Sequence, residues 1–132
     1  MIKDLEQAIG YRFQNITLLQ NALTHSSYAN ERWHNSLLSN ERLEFLGDSI
    51  LGMVVAEYLY QQFPDRPEGE LTKMRADMVC ETSLAAVAER IGLGQHLLLG
   101  HGEDRLGDAL PAHILYSISA YGRWWSERTF CR

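Results

Sequence analysis

The segment NERLEFLGDS at residues 40–49 continues directly into the apolar segment ILGMVVAEYLY at residues 50–60. The first proline of the chain is Pro64, so the sequence predicts one long helix from about residue 40 to about residue 63. Asn40 stands where an N-cap is expected, and its side-chain oxygen could accept a backbone N–H of the first turn. We therefore predict an all-α fold, a bundle of shorter helices around this long one.

The long helix is predicted to carry two stripes of side chains on different faces. At about 100° per residue, Glu41, Glu44 and Asp48 fall within roughly 60° of one another. Four apolar residues gather on another arc of roughly 80°, and we expect that arc to face the core. These residues are Leu43, Leu46, Ile50 and Val54.

The acidic stripe has two interpretations. Carboxylates three or four residues apart on a helix lie about 5–6 Å apart and repel each other by about a few tenths of a kcal/mol. On spacing alone, a solvated face with Arg42 nearby is the simpler explanation. The alternative is a site for Mg²⁺, which takes oxygen ligands and is typically held by one or two carboxylates together with substrate phosphates.

A longer match favours the second interpretation. Residues 40–48 closely resemble the signature helix of the ribonuclease III family, which consists of Mg²⁺-dependent endonucleases specific for double-stranded RNA. Further segments resemble the family in the same order along the chain. They are GYRF at residues 10–13, HSSYANE at 25–31, EGELTKMRA at 68–76 and GQHLLLGHGE at 94–103. The resemblance extends from residue 1 to about residue 105, and it implies the helical endonuclease fold of the family.

The resemblance also implies roles for individual side chains. Glu44 would hold Mg²⁺, for which Mn²⁺ could substitute, and Asp48 would orient or activate the attacking water. Glu41 and Glu68 would shape the charge of the site. Phe45 matches an aromatic residue that helps to form the symmetric homodimer of the family.

The segment at residues 68–76 also contains two basic residues. Lys73 and Arg75 are the best local candidates for contacts with RNA phosphates. They could equally be solvated charges on an amphipathic helix, where such residues are usually found. By contrast, we interpret His25 in the second matching segment as a structural residue.

Residues 106–132 depart from the family pattern. Where the family has an Asp and a Glu that complete the metal site, the aligned residues here are Ser117 and Ala120, and neither supplies a carboxylate. A shifted reading frame and natural divergence would each explain this, and the sequence leaves both open. We expect a single domain over residues 1–132, of which 1–105 match the family.

Composition is consistent with a cytoplasmic globular protein. The chain has 132 residues, of which 45% are hydrophobic and 22% charged. No run approaches the ~20 apolar residues that span a bilayer, and the N-terminal residues do not resemble a signal peptide. Cys80 and Cys131 form no Cys-x-x-Cys motif, so we expect reduced thiols rather than a metal or redox site.

The net charge of −5 conflicts with nucleic-acid binding, which depends mainly on Lys and Arg. Carboxylates grouped at a metal site would account for part of the excess. The resemblance implies that full-length family members carry a separate C-terminal double-stranded-RNA-binding domain, which supplies much of the affinity. We expect no such domain in this chain.

The sequence therefore leaves three functional hypotheses. The first is hydrolysis of double-stranded RNA in the processing of rRNA and mRNA precursors, favoured by Glu44 and Asp48. The second is a catalytically impaired family member that acts as a dimerising or RNA-binding scaffold. The third is an inactive helical fragment. Ser117 and Ala120 favour the second and third hypotheses.

Overall fold

The structure is a computed structural model that describes residues 2–101. Six α-helices account for most of this part of the chain, together with short 3₁₀ segments at Ser36–Leu38 and Leu93–Gln95. The helices are α1 (Ile2–Ile9), α2 (Ile16–Ala22), α3 (Ser26–Trp33), α4 (Glu41–Gln62), α5 (Glu68–Val79) and α6 (Glu81–Arg90). The prediction of an all-α bundle with one long helix is confirmed.

Helices α1 and α2 are joined by a short turn. Gly10 ends α1 with a φ of 66°, in the left-handed region that favours glycine. Asn15 caps α2, because its Oδ1 accepts the N–H groups of Thr17 and Leu18 at 3.1 and 3.4 Å. The turn is also held by the Phe13 N–H, which donates to Glu6 Oε1 at 2.7 Å.

The N-terminal helices enclose the first of two apolar clusters. Tyr11 packs edge-on against Phe13, with ring centroids 5.0 Å apart. Leu43 and Leu97, from more distant parts of the chain, pack against the same cluster. Its buried members are Leu5, Phe13, Leu19, Ala22, Leu23 and Leu93.

The boundary between α2 and α3 falls at residues 23–25. Helix α2 ends at Ala22 and a new helix begins at Ser26. His25 is the N-cap of α3: it is extended, with φ −70° and ψ 154°, and its Nδ1 accepts the Ser27 N–H at 3.3 Å. The structural role expected for His25 is confirmed. Residues 32–39 contain the end of α3 and a 3₁₀ turn.

Helix α4 begins where the sequence predicts, but its N-cap works differently. The Asn40 side chain makes no capping hydrogen bond. It is buried, and its Nδ2 donates to Ala22 O at 3.2 Å while its backbone N–H donates to Thr24 O at 2.8 Å. Ser39 Oγ accepts the Glu41 N–H at 3.5 Å instead. Asn40 thus ties the start of α4 to the end of α2.

The face that α4 buries also differs from the prediction. Leu46, expected in the core, is 53% exposed, and Leu43, Ile50 and Val54 are only half-buried. The buried residues of α4 are Gly47, Leu51, Val55 and Leu59. This row is rotated by about 100° from the predicted one, the equivalent of one residue. The reason is that α4 packs against α5 and α6 through this row, and local periodicity does not reveal the direction of those helices.

The second apolar cluster forms at this contact. Leu51, Val55 and Leu59 of α4 meet Leu84 of α6, and half-buried residues of α5 pack around them. Those residues are Leu71, Met74 and Val79. Cys80 links α5 to α6, and its Sγ lies 3.2 Å from Ser83 Oγ. None of the helices in residues 2–101 is both long enough and apolar enough to span a membrane.

The rotated core face yields a test that uses two leucines of one helix. Leu59→Ala removes a fully buried side chain and should reduce the free energy of unfolding by about 2–5 kcal/mol. Leu46→Ala changes an exposed side chain and should cost less than about 1 kcal/mol. Urea unfolding followed by circular dichroism, at a concentration where the chain is monomeric, measures both. Equal losses would contradict the observed packing.

Candidate active site

The outward face of α4 forms an open cleft of about 420 Å³. Glu41, Glu44 and Asp48 line it together with Phe45 and Ser49. The structure therefore brings together the three carboxylates that the periodicity predicted on one face. Ser49, which the sequence analysis did not single out, adds a hydroxyl to the same cleft.

The position of these carboxylates in α4 offsets part of the electrostatic repulsion between them. Glu41 and Glu44 lie in the first turn of the helix, where the aligned peptide dipoles stabilise negative charge. The Glu44 N–H donates to Asn40 O at 2.8 Å, so the first turn is firmly formed behind the cleft. Glu41 and Asp48 are exposed and Glu44 is half-buried, which leaves the cleft accessible to a solute.

The three carboxylates do not by themselves form a complete metal site. Although they line one cleft, no group of three or more His, Cys, Asp or Glu side chains within residues 2–101 is placed to hold a metal ion. Side chains can line one cleft without bringing their carboxylates to a single point, so the two observations are compatible. Glu44 and Asp48 offer hard oxygen donors of the type that Mg²⁺ prefers, and further ligands would have to come from elsewhere.

Glu68 lies outside this cleft. It begins α5 and lines a separate cleft of about 480 Å³ between α4 and α5. Its Oε1 accepts the Thr72 hydroxyl at 2.7 Å. Within one chain, Glu68 is therefore not brought together with Glu44 and Asp48.

The two basic candidates on α5 are both exposed. Arg75 lines the cleft that contains Glu68, where Glu57 and Tyr60 also contribute. Lys73 lines neither cleft. The cleft around Glu68 thus carries charges of both signs, unlike the acidic cleft on α4.

Phe45 protrudes from the rim of the acidic cleft. It is 81% exposed, which is unusual for a large aromatic side chain. A third open cleft, of about 680 Å³, lies beside it and is lined partly by Leu37 and Leu46, which are 70% and 53% exposed. Exposed apolar side chains that adjoin in this way mark a candidate protein interface. The contribution of Leu37 was missed because residues 32–39 show no periodic pattern.

Residues 98–101 are held against α3 by contacts that the sequence did not predict. Ser27 and Glu31 bind the backbone of Gly100 and His101, 73 and 70 residues further along the chain. No local pattern links residues so far apart, although Ser27 and Gly100 both lie in segments that resemble the family. Ser117 and Ala120, and the rest of the divergent segment, lie outside the described residues.

Comparison with known proteins places the chain in a family. Residues 15–119 match the family described as ribonuclease-III-like. Ribonuclease 3 of Symbiobacterium thermophilum is 58% identical over 116 residues, which cover 82% of this chain and 48% of that protein. Ribonuclease 3 of Listeria innocua is 48% identical over 116 residues, covering 88% and 51%. The chain spans about half the length of these relatives.

Two solved structures resemble this chain in both fold and sequence. The nuclease domain of ribonuclease III from Campylobacter jejuni superposes with a TM-score of 0.77 at 37% identity, covering 92% of this chain and 82% of that one. A second structure of that domain, described in terms of flexibility in a region involved in dimer formation, gives a TM-score of 0.74 at 35% identity, covering 93% and 94%. Sequence and fold together show that this chain belongs to the ribonuclease III family.

Proposed function

We propose that this chain is an endonuclease domain that hydrolyses phosphodiester bonds of double-stranded RNA, in the processing of rRNA and mRNA precursors. The observation that carries the proposal is the cleft on α4, where Glu44 and Asp48 lie together with Glu41 in a chain of the ribonuclease III family. An open acidic cleft suits a divalent cation and an extended substrate better than it suits an enclosed small molecule.

Glu44 and Asp48 are the residues that would hold Mg²⁺, or Mn²⁺ in its place. When bound, the cation supplies stabilisation of the charge that develops on the phosphate. The carboxylate of Asp48 is exposed and can accept a hydrogen bond from the attacking water, which orients that water. Glu41, which also lines the cleft, adds negative charge that attracts the cation.

RNA would be held in part by α5. Lys73 and Arg75 are exposed there and can contact phosphates without reading sequence. Two such contacts, in a chain of net charge −5, support only weak and salt-sensitive binding. We propose that tight binding requires more protein than these residues provide.

A homodimer is the proposed assembly. The large exposed area of Phe45, next to exposed Leu37 and Leu46, supports an interface at the acidic rim of α4. The relative from Campylobacter jejuni, whose nuclease domain has a region involved in dimer formation, supports the same assembly. Aromatic residues in such positions often contribute most of the binding free energy.

We also propose a cytoplasmic location. Cys80 is a free thiol on the surface, and exposed thiols persist in the reducing cytoplasm.

A second candidate function is a catalytically impaired scaffold that dimerises or binds RNA without cutting it. Ser117 and Ala120 favour it, because they stand where the resemblance to the family calls for carboxylates. The two candidates differ in cleavage and share the dimer.

Metal binding by this chain should be weak. Glu44 and Asp48 alone provide few fixed ligands, so Mn²⁺ titrated calorimetrically should bind well above micromolar concentration. Glu44→Gln and Asp48→Asn should each weaken the binding further, whereas Glu89→Gln, on the exposed side of α6, should not. Sub-micromolar binding by the unmodified chain would contradict the proposed site.

Self-association should depend on Phe45 more than on Glu41. Phe45→Ala removes an apolar anchor, and we expect it to cost ~2 kcal/mol or more in dimerisation, roughly 30-fold in the dissociation constant. Glu41→Ala removes a rim carboxylate and should have little effect. Sedimentation equilibrium measures both, and equal effects would count against this interface.

Cleavage of double-stranded RNA by the unmodified chain should be slow at saturating Mg²⁺, because a loosely held cation is poorly positioned, whereas the scaffold candidate predicts no cleavage. Ser117→Asp together with Ala120→Glu restores carboxylates three residues apart, and it should raise the rate if residues 106–132 follow the family fold. A further Asp48→Asn change should abolish that gain. Fast Mg²⁺-dependent cleavage by the unmodified chain that survives Glu44→Gln would refute the assigned roles.

A further inference from the structure

The segment at residues 98–101 is held along the start of α3 by a series of hydrogen bonds. Leu98 forms a parallel bridge with Thr24. The Leu98 N–H donates to Leu23 O at 2.9 Å, and Leu98 O accepts the His25 N–H at 3.0 Å. Two residues further on, the Gly100 N–H donates to Ser27 Oγ at 2.9 Å.

Glu31 completes the series with a carboxylate. Its Oε1 and Oε2 lie 2.9 and 3.1 Å from the backbone nitrogen of His101, and Oε2 also lies 3.1 Å from the imidazole Nδ1. The His101 side chain is fully exposed, so the ion pair alone contributes little. The charge-assisted bond to the backbone N–H is the contact that orders the chain.

Gly100 shows how closely this carboxylate covers the backbone. The residue is buried, and a Cβ placed on it would lie 2.5 Å from Glu31 Oε1 and 3.0 Å from Ser27 Cβ. Any side chain at position 100 would therefore displace the Glu31 carboxylate. The close approach of Glu31 thus depends on glycine at this position.

The same part of the fold anchors the acidic cleft. Ala22 O and Thr24 O accept hydrogen bonds from Asn40 at the start of α4, at 3.2 and 2.8 Å. Residues 22–25 therefore connect the helix that carries Glu44 and Asp48 to the segment held by Glu31.

We propose that Glu31 is a positioning residue, which fixes the backbone of Gly100 and His101 relative to the acidic cleft on α4. The role in catalysis rests on the proposed function, whereas the restraint on the backbone does not.

The restraint should depend on pH through Glu31. The hydrogen bond from the His101 imidazole, followed by that from the His101 N–H, holds the pKa of Glu31 below its ordinary value, and the charges of His101 and Arg32 act in the same direction. A lowered pKa in the folded state means that the restraint is complete at neutral pH. It is lost as the pH falls through that lowered pKa.

Amide hydrogen exchange measured by NMR on the full chain tests the restraint directly. Glu31→Ala should speed exchange of the His101 amide by at least about tenfold, while Gly100, held by Ser27, changes less. Glu31→Gln keeps one acceptor oxygen, so the His101 amide should show intermediate protection, relative to the intrinsic exchange rate at each pH, and this protection should not be lost in acid. Gly100→Ala should reproduce the effect of Glu31→Ala, because it displaces the Glu31 carboxylate while residue 31 remains glutamate. His101→Ala keeps the backbone N–H and should retain most of the protection.

Mn²⁺ added to the same samples tests the positioning, because signal broadening by a paramagnetic ion falls steeply with distance. Broadening of the Gly100 and His101 signals should change in Glu31→Ala, while broadening along α4 stays the same. Unchanged exchange at His101 in Glu31→Ala, or an unchanged broadening pattern, would overturn the proposal. Failure of Mn²⁺ to broaden α4 would instead refute the proposed metal site, and the exchange rates would still decide the role of Glu31.

Discussion

The backbone hydrogen bonds of residues 22–25 are the constraint on which the rest of the structure depends. This segment lies between α2 and α3, and a buried backbone group that finds no partner costs free energy. Asn40 satisfies Ala22 O and Thr24 O, while Leu98 satisfies the backbone of Leu23 and His25. Three distant parts of the chain are joined there, and α4 is held at Asn40, the residue that precedes its first turn.

With its first turn held in this way, α4 contributes side chains to both apolar clusters. Leu43 packs against the N-terminal cluster, and Leu51, Val55 and Leu59 build the second cluster with α6. Because the inward face of the helix is occupied along most of its length, the opposite face can carry side chains that contribute no burial. The acidic cleft uses that face, next to the helix terminus whose dipole best tolerates its charge.

Proline content and helical periodicity predicted the helices well, but they predicted the contacts between helices less well. The length of α4 followed from the absence of proline, and the grouping of Glu41, Glu44 and Asp48 followed from helical periodicity. The exposure of Leu46 did not, because the buried face is chosen by α5 and α6 and not by α4 itself. The burial of the Asn40 side chain could not be predicted from the sequence either, because its hydrogen-bond partners lie 16 and 18 residues earlier in the chain.

Cys80 has a practical consequence for handling the protein. The hydrogen bond between the Ser83 hydroxyl and its sulfur, 3.2 Å apart, is the largest cause that lowers the pKa of this thiol, which is exposed between α5 and α6. A lowered pKa raises the thiolate fraction at neutral pH, and the thiolate is the form that air and disulfides oxidise. Without reductant, two molecules would become linked covalently through sulfur, far from Phe45 in the sequence. Such a species would have the mass of a dimer, yet no substitution on α4 would dissociate it.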